Sequence, residues 1–133
     1  MIVGVADTHA ALWYLFADSR LSQAAYEFIE EAARNGDQVA VSAISVAEVV
    51  YLVEKGRLPL VMDAELTKAL VDLQHVFTET AFTLAVAQSM RRIPRESVPD
   101  MPDRMIAATA VYYGVPIISR DRHIRSSELK TIW

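Results

Sequence analysis

Short apolar runs alternate with stretches of helical periodicity along the whole chain, and this alternation limits the fold more than any other feature of the sequence. Residues 2–6, 39–41 and 115–119 are compact apolar runs of strand length. Between them the pattern turns helical. Asp7-Thr8 introduces an apolar helix over 10–16. Ser22 reads as the N-cap of a helix carrying Tyr26, Ile29 and Ala33, which Asn35-Gly36-Asp37 closes. Ser42 or Ser45 opens the next helix, which runs through Glu54, and residues 55–59 form a turn. Helices are also predicted over 63–73, from Thr80 or Thr83 to Met90, and over 102–113 with Gly114 at the C′ position. Residues 76–77 and 132–133 read as short strands, and 91–101, which contains Pro94 and Pro99, as a loop. Strands that alternate with helices in this way predict an α/β layer sandwich with a mainly parallel sheet. In such a sheet the site lies beyond the carboxyl ends of the strands, where the strand order switches.

With 133 residues the chain has the length of one domain, expected to span 1–133. Its 53% hydrophobic and 23% charged content excludes bulk disorder. The absence of cysteine excludes a disulfide scaffold, a thiolate zinc site and a cysteine nucleophile. No stretch approaches the ~18 apolar residues of a membrane span. The N-terminus lacks a basic lead, and Asp7 interrupts its apolar run, so no signal peptide and a cytoplasmic location are expected. The net charge of −4 is unevenly distributed: residues 1–79 hold 12 acids against 5 bases, and residues 80–133 hold 8 bases against 5 acids. Seven of those eight bases are arginines, which leaves room for a local cationic surface on an acidic protein.

Four acids stand in places that need explaining. Asp7 directly follows the first strand, and Asp121 follows the 115–119 strand by two residues, so both fall at strand carboxyl ends. Helix capping accounts for either one alone. Glu48 shares its helical face with Ile44, Ser45, Tyr51 and Leu52, on or beside the buried stripe. A carboxylate there requires a partner, such as an arginine, or a function. Asp103 sits in the first turn of its helix, and Ile106, Ala107 and Ala110 continue its face. Dipole complementarity explains an acid in the first turn but not one on the inward stripe.

If the four converge, mutual repulsion opposes their joint ionisation, and a divalent cation resolves it. Oxygen-only ligation suits Mg²⁺, with Mn²⁺ as a substitute. Zinc is disfavoured, since His9, His75 and His123 are isolated and have no cysteine partner. No Gly-x-Ser-x-Gly elbow and no glycine-rich phosphate loop occur. The Trp13-Tyr14-Phe16 cluster, at helical spacing, reads as core packing, with a stacking or partner surface as the alternative.

These residues fall within blocks that resemble the PIN-domain ribonucleases, most closely the VapC-type toxin of VapBC toxin–antitoxin pairs. The blocks are Val5-Ala6-Asp7-Thr8-His9-Ala10-Ala11-Leu12-Trp13, Asp18-Ser19-Arg20-Leu21-Ser22, Val41-Ser42-Ala43-Ile44-Ser45-Val46-Ala47-Glu48, Lys55-Gly56-Arg57-Leu58-Pro59-Leu60, Asp103-Arg104-Met105-Ile106-Ala107-Ala108-Thr109-Ala110 and Ile117-Ile118-Ser119-Arg120-Asp121. They span the chain in the family's order. The resemblance implies a three-layer α/β/α sandwich with a mainly parallel sheet of four or five strands. It carries the family's catalytic acids onto Asp7, Glu48, Asp103 and Asp121, and places Asp100 as an additional acid and Ser119 as a hydroxyl beside a metal-held water. It further implies Mg²⁺-dependent endonucleolytic hydrolysis of RNA that leaves 5′-phosphate and 3′-hydroxyl ends, a cognate antitoxin, and a homodimer.

On this reading Asp7, Asp103 and Asp121 hold the ion directly or through water, and Glu48 completes the shell or orients the nucleophile. Arg104, Arg120, Arg122 and Arg125 flank two of the acids and are candidates to bind RNA phosphates, with surface salt bridges as the alternative. A catalytically silent PIN-like module that binds RNA or protein is the competing function. An aspartyl-phosphate receiver or phosphatase fits poorly. His9 stands where a haloacid-dehalogenase-type phosphatase needs a second Asp, and Ser119-Arg120-Asp121 where a receiver needs a lysine.

Overall fold

A computed structural model describes residues 1–133. The chain runs through β1 (Ile2–Ala6), α1 (Thr8–Leu15), α2 (Gln23–Arg34), β2 (Gln38–Ser42), α3 (Ala43–Glu54), α4 (Leu60–Val71), β3 (Phe77–Thr80), α5 (Leu84–Ser89), a 3-10 turn (Met90–Arg92), α6 (Met101–Tyr113), β4 (Ile117–Ile118), α7 (Arg122–Ser126) and β5 (Thr131–Ile132). The five strands form one sheet in the order β3-β2-β1-β4-β5, with every pairing parallel. Parallel neighbours need crossovers, and the helices supply them. The order grows outward from β1 in one direction through β2 and β3, then in the other through β4 and β5. The switch point therefore lies between β1 and β4, at the carboxyl ends that Asp7 and Asp121 follow.

The sheet is covered on both faces, which gives the three-layer α/β/α sandwich expected from the resemblance. Side chains alternate across each strand. Ala6, Val39, Val41 and Ile118 enter a core closed by α1, α2 and α4, with Leu12, Ile29 and Leu66 buried in it. Val5, Ala40 and Ile117 enter the opposite core, where α5, α6 and α7 contribute Val86, Ile106 and Ile124. A Cβ on Gly4 would lie 2.8 Å from the Phe28 ring, so the missing side chain lets α2 lie close on β1.

Several boundaries differ from the sequence reading, each for a local reason. β4 is two residues long, not five, because the Val115 N–H bonds to the Ala110 carbonyl and finishes α6, whose end Gly114 turns with φ of 68°. α4 starts at Leu60, one turn earlier than residue 63, with Pro59 at its N-cap. The buried face of α2 is Ala25, Ile29 and Ala32, whereas Tyr26 and Ala33 are exposed. Helix α7 adds an element for which the sequence shows no period, since five residues are too few to carry one. Ser42, not Ser45, caps α3, and Ser45 is fully buried inside it.

Candidate active site

The local structure around each acid follows from capping. Asp7 is the N-cap of α1, with Oδ1 accepting the Ala10 N–H at 2.9 Å. Asp121 is the N-cap of α7, with Oδ1 accepting the Ile124 N–H at 3.0 Å. Asp100 caps α6 by accepting the Asp103 N–H at 3.1 Å, which leaves Asp103 free of any capping duty. The bland reading of Asp7 and Asp121 as caps is thus true, and it does not exhaust them. Each cap occupies one carboxylate oxygen, and both residues sit at the strand-order switch.

The four acids, together with Asp100, line one pocket of about 420 Å³, whose rim carries His9, Trp13, Arg20 and Arg120. No arginine pairs with Glu48. The ion pairs of the chain are Arg20–Asp18 and the N-terminus with Asp37. Glu48 is instead held by the Thr8 hydroxyl, which donates to Oε1 at 2.5 Å and lies 2.9 Å from the Ser45 hydroxyl. Thr8 and Ser45 are both buried, so this contact fixes α3 against the start of α1 beneath the pocket.

The electrostatics match a crowd of like charges. Burial and then the carboxylates of Asp100, Asp121, Asp7 and Glu48 push Asp103 up to about 7. Burial also raises Asp7, against the pull of hydrogen bonds from Ser119 and the Ala10 N–H and of the nearby His9; Asp121 adds to the rise. An acid pocket in this state suits a cation. The donors are all oxygens, and no three of the Asp, Glu and His side chains are gathered tightly enough to cage an ion by themselves. Carboxylate oxygens suit hard cations such as Mg²⁺ or Mn²⁺, which keep several waters, better than a metal that prefers nitrogen or sulfur.

The cationic side of the pocket differs from the sequence reading. Arg120 lies on the rim, its guanidinium 4.6 Å from the centre of the Trp13 ring. Arg20 covers the same ring at 5.0 Å and grips Asp18 through Nε and Nη2. That grip, with the Arg20 N–H, holds Asp18 down at about 2. Arg104 is turned away from the role given to it: Nε donates to the Ile93 carbonyl and Nη2 to that of Met90, so it ties down the segment before α6. Arg122 is exposed and outside the pocket lining, as is Arg125. Ser119 is fully buried; it accepts the Asp121 N–H at 2.9 Å, so it positions that acid from beneath and cannot touch substrate.

Sequence reasoning missed Arg20, Trp13 and Thr8. The Asp18-x-Arg20 turn carried a signal, because a two-residue spacing suits a local ion pair. Trp13 was assigned to the core, and at 6% exposure it does pack there while its ring still forms a wall of the pocket. Helical spacing cannot separate these two uses of one side.

Comparison with known proteins agrees with this arrangement. Residues 5–128 match the family model of the PIN domain. Over 120 residues the chain is 36% identical to Ribonuclease VapC22 of Mycobacterium tuberculosis, a stretch covering 90% of this chain and 88% of that protein. The fold is also that of the Rickettsia felis VapBC2 crystal structure, bound to a DNA fragment from its promoter, with a TM-score of 0.69 at 17% identity over 98% of this chain and 97% of that one. DNA-bound VapBC from Salmonella typhimurium gives 0.70 at 16% identity, with the same coverage of both chains. At such identities the two structures speak for the fold alone, whereas the family match and the relative at 36% identity span nearly the whole sequence. This chain belongs to the PIN domain family and resembles its VapC ribonucleases.

Proposed function

We propose that this protein is a divalent-metal-dependent endoribonuclease, Mg²⁺ being its ion, and the toxin of a type II toxin–antitoxin pair. The observation that carries the reading is the convergence of Asp7, Glu48, Asp103 and Asp121 on one pocket, where burial and then the neighbouring carboxylates raise the pKa of Asp103 to about 7. A module that only binds has no use for acids arranged at such a cost. The name of the VapC22 relative supports RNA as substrate, and the VapBC complexes among the structural neighbours support an antitoxin partner. Residues 1–133 would act as one domain, and as a homodimer. No helix is long and apolar enough to cross a membrane.

Asp7, Asp103 and Asp121 would hold the ion, directly or through its waters, with Glu48 beside them. When bound, a divalent cation there supplies charge neutralisation at the scissile phosphodiester and lowers the pKa of a water. The remaining work falls to the chain itself. Ser119 and the two helix caps fix the orientations of Asp7 and Asp121. Thr8 fixes Glu48, whose carboxylate would complete the ion's shell or orient the attacking water. Arg20 and Arg120, stacked on Trp13, present guanidinium groups to RNA phosphates and offset the acidic field of the pocket. The acids then confer hydrolysis, and the rim confers attraction for a polyanion that the acids alone would repel.

Cleavage of single-stranded RNA by EDTA-treated protein tests this. Activity should return with Mg²⁺ or Mn²⁺ and be absent in Asp103→Asn. Binding of RNA with no cleavage by the wild type in either metal would favour the silent module.

A further inference from the structure

A second, smaller pocket shares a wall with the acid pocket and has no role in the chemistry above. It encloses about 230 Å³ between the end of α1 and the start of α2, with Trp13, Tyr14, Leu21 and Tyr26 as its apolar walls and Asp18 and Gln23 at its mouth. Trp13 lines both pockets, and the Asp18–Arg20 ion pair stands between them: Asp18 lines the smaller one and Arg20 the acid one.

Resting on the ribonuclease reading, we propose that this pocket receives one unstacked nucleobase of the RNA, adjacent to the nucleotide whose phosphate is cut. Three observations carry it. First, the walls are aromatic and already built. Tyr14 is fixed edge-on to Phe77, with ring centres 5.3 Å apart, and its hydroxyl donates to Glu30. The connecting loop is tied back by the Asp18 N–H to the Trp13 carbonyl at 2.9 Å, and by the Leu21 N–H to the Asp18 carbonyl at 3.1 Å. Second, Tyr26 is 46% exposed and lies off the buried stripe of α2, yet its ring leans on Tyr14 at 6.1 Å. A large aromatic left open in this way is a stacking platform, and every base has a face to stack. Third, the guanidinium of Arg20 stands where the two pockets meet. A strand whose phosphate reaches Arg20 and Arg120 is thereby placed to turn its neighbouring base onto Tyr26. Gln23 spends its amide N–H on Glu27, which leaves its carbonyl oxygen at the mouth as an acceptor for a base edge.

The test pairs Tyr26 with single abasic riboses scanned along a labelled single-stranded RNA. Tyr26→Ala should raise KM about tenfold, with kcat within about twofold of wild type. Tyr26→Phe, which keeps the stacking face, should stay near wild type. An abasic ribose at one position beside the cleaved bond should raise the wild-type KM by a similar factor and add nothing in Tyr26→Ala. An unchanged KM in Tyr26→Ala, or an abasic penalty that persists undiminished in that variant, overturns the proposal and leaves the pocket to another occupant, such as a segment of a protein partner. If the wild type cuts no RNA, the ribonuclease reading fails by itself. The same non-additivity, read in Kd by fluorescence anisotropy, then upholds the base pocket, and additivity removes it. Because Tyr26 is exposed, a melting curve within a few degrees of wild type is expected for each variant.

Discussion

The hydroxyl of Thr8, the first residue of α1, donates to Glu48 on α3 at 2.5 Å across the floor of the acid pocket. This contact is part-buried and charge-assisted, a class worth about 1.5–3 kcal/mol. Thr8→Val preserves the volume and leaves Glu48 without its donor. The variant should lose about tenfold in kcat with little change in KM, and Thr8→Ser should restore the rate. Equal rates for Thr8→Val and wild type would show that Glu48 needs no positioning.

Asp103 gives a pH dependence of definite sign. Its folded value of about 7 lies above the ordinary 3.8, so folding favours its protonated form. The stability this contributes is complete below pH 4 and is lost as pH rises through 7. In EDTA, Asp103→Asn should therefore gain on the wild type steadily between pH 4 and 8. The final advantage should be on the order of 1–2 kcal/mol, discounted because the group is only half buried. Thermal melts across that range check it, and a loss of stability for Asp103→Asn at pH 8 would mark Asp103 as a structural acid.

His75 acts in the opposite sense. Burial holds its pKa below the ordinary 6.5, with Asp72 opposing, and its Nδ1 accepts the Phe77 N–H at 2.9 Å at the start of β3. A proton on Nδ1 breaks that bond. The neutral form is therefore favoured in the fold, and stability is lost as pH falls from 6.5 towards the folded value. His75→Gln should flatten the acid limb of the melting profile between pH 7.5 and 5.5 without affecting RNA cleavage. An unchanged slope would contradict it.

The arginines separate into two groups. Arg20→Ala and Arg120→Ala should raise KM for RNA and lower the salt slope of binding by about 1 each. Arg104→Ala should leave the salt slope alone and destabilise the fold by about 2 kcal/mol, since two backbone carbonyls lose a charged donor. Arg104→Lys should rescue little, because one ammonium cannot replace the guanidinium fork. Arg122→Ala, exposed and off the pocket, should behave as wild type. Binding and melting curves for the four alanine variants decide the grouping.

The outline of the fold was legible because compact apolar runs such as Ile2–Ala6 alternate with period-3.6 stripes such as Ile106-Ala107-Ala110, which the two faces of the sheet bury. The placement of Asp7 and Asp121 at strand ends was legible for the same reason. The directions of long side chains were not. Arg104 follows Asp103 in sequence, yet the helical turn sends its guanidinium to the Ile93 carbonyl. Arg20 lies far in sequence from Asp7, Glu48, Asp103 and Asp121 and still stands on the pocket rim, because α1 and the turn after it return Asp18 and Arg20 to Trp13. The resemblance places the Ser119 hydroxyl beside a metal-held water, but the end of β4 turns it inward, fully buried, where it holds Asp121 instead. Order along the chain locates a Cα; the reach and direction of an arginine or a serine hydroxyl depend on tertiary neighbours that no local pattern encodes.

The central claim is that the four carboxylates form a cation site, and the melting temperature with and without Mn²⁺ tests it most directly. For the wild type, millimolar Mn²⁺ should raise Tm, by an amount equivalent to about 2.7 kcal/mol when the ion stands at about a hundred times its Kd. Asp7→Asn and Asp103→Asn should each lose that rise while folding in EDTA at least as well as the wild type. A Tm that Mn²⁺ leaves unmoved in the wild type, or raises equally in both variants, would contradict the account.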